Sequence, residues 1–433
     1  MEIRDPLHGN ILLSNPEVNV INSGAYQRLR TVKQLGLSEY SFPGATHNRF
    51  LHSLGVCHLA GIAFDNIFKS YPFKKQETRW RLRQTLRLAA LLHDVGHGPL
   101  SHASEEVMPL LKDLNIKAYE KRKGGKDYDA KTKANHEDYT VKFITDSPLT
   151  EILKKSFSDI DPLHVVALID KSIDPGDDFF IEDGINFRPI LSSLVSSELD
   201  VDRMDYLDRD AYYCGVNYGK VEIDWLLTNL TCHEVKGNLH LAINRRALYT
   251  FDDFLISRHH MYLMVYFHHK SIIYEEIIHR YLLSPDCDFK LPADINEYLH
   301  CNDHALYQHL ARRTDNEWAR RVTEKNPYRV LFEYHTTKEN DRIGKMAKVL
   351  EGQDISVIVS NSRARLSKYH FSFGENNSGI FVVDQYDRQQ KPETIEKMTD
   401  LFQKYEETRG IERLYVPPEQ YKKAEKILIE KKL

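Results

Sequence analysis

The chain has 433 residues, 41% hydrophobic and 28% charged, with 59 Lys and Arg against 63 Asp and Glu for a net charge of −4. That balance offers no global basic field for nucleic acid or anionic membranes, and no apolar run approaches the ~18 residues of a membrane span. The five cysteines form no CxxC pair and the start Met1-Glu2-Ile3-Arg4-Asp5 has no apolar signal segment, so a reducing, cytoplasmic setting is expected.

In chain order, Glu2–Leu13 reads as a short hairpin turning at His8-Gly9-Asn10. Helical periodicity then dominates to about residue 283. It predicts helices over Arg49–Phe68, Glu77–Asp94, Leu191–Asp210 and Asp253–Leu283. The second is stopped by Gly96-His97-Gly98-Pro99. Lys117–Lys133, rich in Lys and Gly, reads as an exposed, mobile insertion. Leu230–Val235 and Leu239–Ile243 flank Lys236-Gly237-Asn238 as a second hairpin. Beyond Pro327 the texture changes to strands at Arg329–Glu333, Ile355–Val359 and Gly379–Asp384 and helices at Glu393–Tyr405 and Gln420–Lys431. The expected architecture is mainly α, with small β-hairpins, a core over 1–326 and an α+β region over 327–433.

The chemistry concentrates around His93-Asp94. Leu88-Ala89-Ala90-Leu91-Leu92 makes a buried helix ending in these two strong ligands, and a Gly-rich break follows. Burying His and Asp together is unfavourable unless a metal or partner satisfies them. The turn then supplies His97 and His102, and the helix upstream supplies His52. Downstream, Asp202, Tyr206 and Asp210 stand at i, i+4 and i+8, on one stripe of a helix. Two His and two carboxylates from three helices make a mixed N/O site suited to Mg²⁺, Mn²⁺, Fe²⁺ or Zn²⁺. No GxxxxGK[ST] stretch occurs, so a P-loop is excluded.

His52, His93-Asp94 and Asp202 resemble the H…HD…D metal signature of HD-domain phosphohydrolases. Asp5-Pro6-Leu7-His8-Gly9, Gln27-Arg28-Leu29-Arg30, Lys33-Gln34-Leu35-Gly36, Phe42-Pro43-Gly44-Ala45, His47-Asn48-Arg49-Phe50, His52-Ser53-Leu54-Gly55-Val56 and the run from His93 to Pro99 narrow the likeness. Over residues 1–275 the chain resembles the deoxynucleoside triphosphate triphosphohydrolases (dNTPases).

The resemblance implies an HD-domain helical fold and cleavage of dNTPs to deoxynucleoside and triphosphate. It implies His52, His93, Asp94 and Asp202 as metal ligands. It makes His102 the general acid, with His97, His136, Glu137 and Glu105 around it; Glu105 replaces the family's aspartate. Arg49, Arg203, Arg258 and Tyr266 match phosphate contacts, Arg203 standing where the human member has lysine. Gln34, Leu35 and Asp210 match sugar contacts, Tyr206 the ring that packs under the sugar, and Tyr262 stands in place of a histidine. Gln27 and Arg30 match an allosteric site between subunits of a homotetramer, so a nucleotide activator is expected. Asn22 replaces an aspartate that reads guanine there, and an amide offers one acceptor and a donor where a carboxylate only accepts. Two other readings remain open: a different HD phosphohydrolase acting as a nucleotidase or phosphodiesterase, and a nucleic-acid-binding protein with a vestigial site.

Overall fold

The structure is a computed structural model that describes residues 1–123, 131–336, 341–364, 379–387, 389, 391–399, 401 and 409–433. It opens with the antiparallel hairpin β1 (Glu2–Asp5) and β2 (Gly9–Leu12). The turn lies at Pro6–His8, earlier than expected, because the Asp5 carboxylate accepts the N–H groups of Leu7 (2.9 Å) and His8 (3.0 Å). Asn10 is thereby in the ladder, opposite Arg4.

Helix α1 (Arg49–Ile67) begins where the Asn48 side chain caps the Leu51 N–H. Helix α2 (Gln76–Leu92) packs beside it and buries Leu82, Leu86 and every residue from Leu88 to Leu92. The expected helix ran to Asp94; it ends at Leu92, and His93 and Asp94 occupy the turn. Helix α3 (His136–Thr145) clamps that turn. Thr140 Oγ1 accepts the Gly96 N–H at 3.0 Å and donates to the His93 carbonyl at 3.0 Å. A Cβ at Gly96 would stand 2.1 Å from the His136 carbonyl oxygen, so only glycine admits α3 this closely.

The expected helix Leu191–Asp210 is two helices, α4 (Arg188–Val195) and α5 (Val201–Cys214). Asp200 breaks it: its carboxylate accepts the Arg203 N–H at 2.8 Å as an N-cap and the Ser197 N–H at 2.8 Å. The hairpin β3 (Leu230–Val235) and β4 (Asn238–Asn244) forms as expected. The long helix expected over Asp253–Leu283 is likewise interrupted, into α6 (Leu248–Met261), a π turn at Tyr262–Tyr266, and α7 (His269–Leu282).

In the C-terminal region β5 (Arg329–Thr336), helix α8 (Arg342–Glu351), β6 (Ile358–Ala364), β7 (Phe381–Val383), β8 (Arg409–Val416) and helix α9 (Tyr421–Glu430) follow in turn. Strand β8 lies between β5 and β6, antiparallel to both. Ile343, Met346 and Leu350 of α8 and Ala424 and Leu428 of α9 cover one face of this sheet through Leu414 and Val416. Ile358 and Tyr415 pack instead with Ile273, Ile277 and Tyr281 of α7. Strand β7 leaves the sheet and pairs in parallel with β4, burying Ile380 and Val382 in the main core. The helix expected over Glu393–Tyr405 is a two-residue strand on β7, then a short helix Ile395–Met398; 402–408 lie outside the described residues.

The first part of the expected mobile insertion is anchored. Lys117–Lys121 forms a 3₁₀ turn with Tyr119 buried on Asp138, and Arg122 pairs with Asp170 at 2.8 Å. Within it, 124–130 lie outside the described residues. The fold is mainly α, and among the described residues no helix is long and apolar enough to cross a membrane.

Candidate metal centre and substrate site

Three elements converge on one point: α1 brings His52, the turn after α2 brings His93 and Asp94, and the first turn of α5 brings Asp202. His52 Nε2 lies 3.0 Å from Asp202 Oδ1 and 3.6 Å from Asp94 Oδ2. His93 Nε2 lies 3.4 Å from Asp202 Oδ1 and 3.4 Å from Asp94 Oδ1. Donors about 2.1 Å from a common ion are separated by about 3.0 Å in cis octahedral and about 3.4 Å in tetrahedral geometry. His52, His93 and Asp94 offer ligand atoms within 4.8 Å of one another, a spacing a single first-row cation or Mg²⁺ accepts, and Asp202 adjoins both imidazoles. Both Nε2 atoms are buried and lack a well-aligned hydrogen bond, while the opposite nitrogens are engaged. His52 Nδ1 meets Asp205 Oδ2 at 2.8 Å and His93 Nδ1 meets the Ala90 carbonyl at 2.8 Å. Burial disfavours charge on His52, yet Asp202 and Asp205 outweigh it and lift its pKa to about 10.

A second cluster adjoins the first. His97 Nε2 lies 3.3 Å from Asp94 Oδ1, and its ring stacks on His136 at 3.8 Å between centroids. Burial, then the Arg49 charge, holds His97 well below the usual imidazole range and so neutral. Glu105 Oε1 meets His102 Nδ1 at 2.9 Å and His136 Nδ1 at 2.5 Å. Burial works against the Glu105 charge, but the bonds from His102 and His136 prevail and lower its pKa to about 2. An ionised carboxylate only accepts, so both imidazoles carry hydrogen on Nδ1. The His102 ring is exposed, its other nitrogen available to a bound molecule. One ligand atom from each of His97, His102, Glu105 and His136 also falls within 4.8 Å of the others. Stacked rings do not aim two lone pairs at one ion, so proton handling suits this cluster better than metal binding. Glu137 is exposed in the same first turn of α3 and stands outside these bonds.

Three buried arginines, Arg49, Arg203 and Arg258, belong to the same region. Arg49 pairs with Asp94 Oδ2 and donates from Nε to Ser101 Oγ at 2.8 Å. Arg203 Nη1 donates to Glu198 Oε2 at 2.7 Å, and Arg258 Nη1 reaches the same oxygen at 3.8 Å. The stripe of α5 then leads to the aromatic residues: Tyr206 lies 6.4 Å from Tyr266, and Tyr262 packs edge-on to Tyr266 at 5.0 Å beneath Arg258. The π turn holds Tyr262 and Tyr266 here, and the Tyr266 hydroxyl donates to Asp210 Oδ2 at 2.8 Å. Asp210 Oδ1 meets His47 Nε2 at 2.7 Å, and the Gln34 N–H donates to the His47 carbonyl. Gln34 Oε1 is buried without a hydrogen bond, and Leu35 beside it is half-buried. Sequence reasoning assigned no role to His47, Ser101, Glu198 or Asp205. Only His47 carried a signal, its place in the quoted His47-Asn48-Arg49-Phe50 run.

Gln27 and Arg30 bond to one another near the surface. Gln27 Nε2 donates to the Ile21 carbonyl at 2.9 Å, and its Oε1 accepts from Arg30 Nε at 2.8 Å. The Arg30 guanidinium lies 3.6 Å over the Phe50 ring, and Asn22 is exposed.

The family model for the HD domain matches residues 49–210, and that for an HD associated region matches 221–358. The chain is 33% identical over 278 residues to the uncharacterized protein MG461 of Mycoplasma genitalium, covering 63% of this chain and 57% of that protein. It is 34% identical over 218 residues to the deoxynucleoside triphosphate triphosphohydrolase SAMHD1 homolog of Dictyostelium discoideum, covering 49% of this chain and 36% of that protein. The chain thus spans about half the length or less of these curated relatives. A crystal structure of a hypothetical protein from Aquifex aeolicus superposes with a TM-score of 0.73 at 26% identity, over 99% of both chains.

Proposed function

Because the chain belongs to the HD-domain family, with deoxynucleoside triphosphate triphosphohydrolases among its relatives, we propose that it hydrolyses dNTPs to deoxynucleoside and intact triphosphate. The observation that carries this reading is the meeting of His52, His93, Asp94 and Asp202, with two buried Nε2 atoms turned towards the carboxylates, beside a histidine–carboxylate cluster. A divalent cation held by these four residues supplies Lewis-acid polarisation of a phosphoryl oxygen and a more acidic water.

The protein's own groups do the rest. Arg49, Arg203 and Arg258 bind phosphate oxygens through fixed guanidinium forks, with Glu198 holding two of them in place. A nucleoside 5′-alkoxide is a poor leaving group, so it needs a proton as the bond to the α-phosphorus breaks. His102 gives that proton from Nε2, while Glu105 on Nδ1 orients the ring. Tyr206 packs under the deoxyribose and leaves a 2′-hydroxyl without room or partner. Gln34 and Asp210 take up the sugar's 3′-hydroxyl; Asp210 retains lone pairs beyond those used by His47 and Tyr266. Asn22, Gln27 and Arg30 are the proposed activator site in a homotetramer, arginine for phosphate and amides for base or sugar.

The test is product analysis of the purified chain with Mn²⁺ or Mg²⁺ and each dNTP, alone and mixed. Deoxynucleoside plus inorganic triphosphate is expected; deoxynucleoside monophosphate plus pyrophosphate overturns the assigned cleavage position. His93→Ala and Asp94→Ala should each abolish turnover and metal retention, and full activity in either overturns the metal assignment.

A further inference from the structure

Asp205 has no place in the reading above, yet it receives more hydrogen bonds than any ligand of the metal centre described here. It is fully buried on α5, on the side that faces α1 and the N-terminal hairpin. Oδ2 meets His52 Nδ1 at 2.8 Å and Arg209 Nε at 2.8 Å; Oδ1 meets Arg209 Nη2 at 2.9 Å and His8 Nε2 at 2.6 Å. Arg209, itself fully buried, reaches on to Asp5 Oδ2 at 2.9 Å. The other Asp5 oxygen caps the hairpin turn from which His8 projects.

A buried ion pair at i, i+4 on one helix requires only Asp205 and Arg209. The additional partners, His52 and His8, come from residues 153 and 197 positions away. A carboxylate can only accept, so its contact with His52 puts a hydrogen on Nδ1, and Nε2 is the nitrogen whose lone pair a bound ion would take in place of a proton. Gly55 permits the approach, since any Cβ there would overlap Asp205.

We propose that Asp205 is the positioning residue for the ligand His52, and that His8 completes the relay, so that docking of the N-terminal hairpin sets the metal affinity of the site. The relay rests on the metal assignment of the preceding subsection. Its geometry predicts that loosening either His8 or Asp205 weakens ion binding while Asp94 and Asp202 stay in place.

The experiment is a Mn²⁺ titration followed by electron paramagnetic resonance on the full chain stripped with chelator, beside thermal unfolding without metal. Wild type should bind one Mn²⁺ and His52→Ala should lose it. Absence of binding in wild type overturns the metal reading, and the relay falls with it. Asp205→Asn with Arg209→Gln removes both charges of the helix pair together; Asn matches Asp in size, while Gln is shorter than Arg and gives up the contact with Asp5. The double variant should bind Mn²⁺ about 10-fold or more weakly. His8→Phe should weaken binding in the same direction by a smaller factor at an unchanged unfolding temperature, and His8→Gln, which restores a donor at the same reach, should recover it. Wild-type affinity in the folded double variant overturns the proposal. If the double variant does not fold, His8→Phe decides: wild-type affinity there overturns the relay, and weakened affinity rescued by His8→Gln supports it.

Discussion

Replacing Gly55 by alanine sets two physical expectations against each other. Gly55 lies within α1, and helix propensity alone makes Gly→Ala stabilising by about 1 kcal/mol. The tertiary structure reverses the sign. The new methyl would stand 1.9 Å from Asp205 Oδ1, 2.5 Å from Arg209 Nη2 and 2.7 Å from Asp205 Cγ. Both side chains are fully buried, so neither can swing into solvent. If the clash is relieved by parting Asp205 from Arg209, breaking that buried pair costs about 3–5 kcal/mol. Subtracting the propensity gain leaves a net loss of roughly 2–4 kcal/mol. Urea unfolding followed by circular dichroism measures it. Gly24→Ala is the control, because nothing lies within 4 Å of its Cβ position. A Gly55→Ala protein as stable as wild type, or more so, refutes the close approach of α1 and α5.

The remaining predictions concern the proposed catalytic cluster, sugar contact and activator site. The folded pKa of Glu105 lies below its ordinary value, so its ionisation stabilises the fold above pH 4.5, and that stability is lost as pH falls through about 2. Discounted for water reaching the pair, the effect is about 1–2 kcal/mol, and acid unfolding of Glu105→Gln should lack it; equal acid sensitivity contradicts the assignment. The same variant should lower kcat about 10-fold or more with KM little changed, since His102 loses the anion that orients it. Tyr206→Ala should narrow a dATP-to-ATP preference in kcat/KM on the order of 10² towards unity, and an unchanged ratio counts against the sugar contact. Arg30→Ala should abolish acceleration of one dNTP by another while changing stability by no more than about 1 kcal/mol, the worth of its contact with Phe50. Acceleration retained in that variant removes Arg30 from the activator site.

Local pattern was sufficient for α1, α2 and the β3–β4 hairpin. Each is long or regular enough that its apolar period, cap or turn decides the conformation without help. The candidate metal ligands were legible for a related reason: His93 and Asp94 end an apolar helix, where two polar groups need a stated purpose. The breaks were not legible. Apolar residues continue through Val195, Leu199 and Val201, so periodicity runs across a gap that the Asp200 carboxylate creates by taking two backbone N–H groups. The π turn at Tyr262–Tyr266 is equally silent in the sequence, and it sets the phenol of Tyr266 against Asp210.

The sequence by itself determined the helical class, the candidate ligand types and the stripe of Asp202, Tyr206 and Asp210 on one helix. Only the tertiary structure decided what each of those residues meets. Asp205 shares a helix with that stripe, and nothing in its neighbours separates it from a surface carboxylate until α1 crosses at Gly55 and brings His52 within 2.8 Å. Strand β7 likewise looks like part of the C-terminal sheet until it pairs with β4 in the main core. The physical reason is common to both: periodicity records which face of an element is apolar. The role of a buried polar group, or of a strand edge, depends on which distant segment that face is packed against.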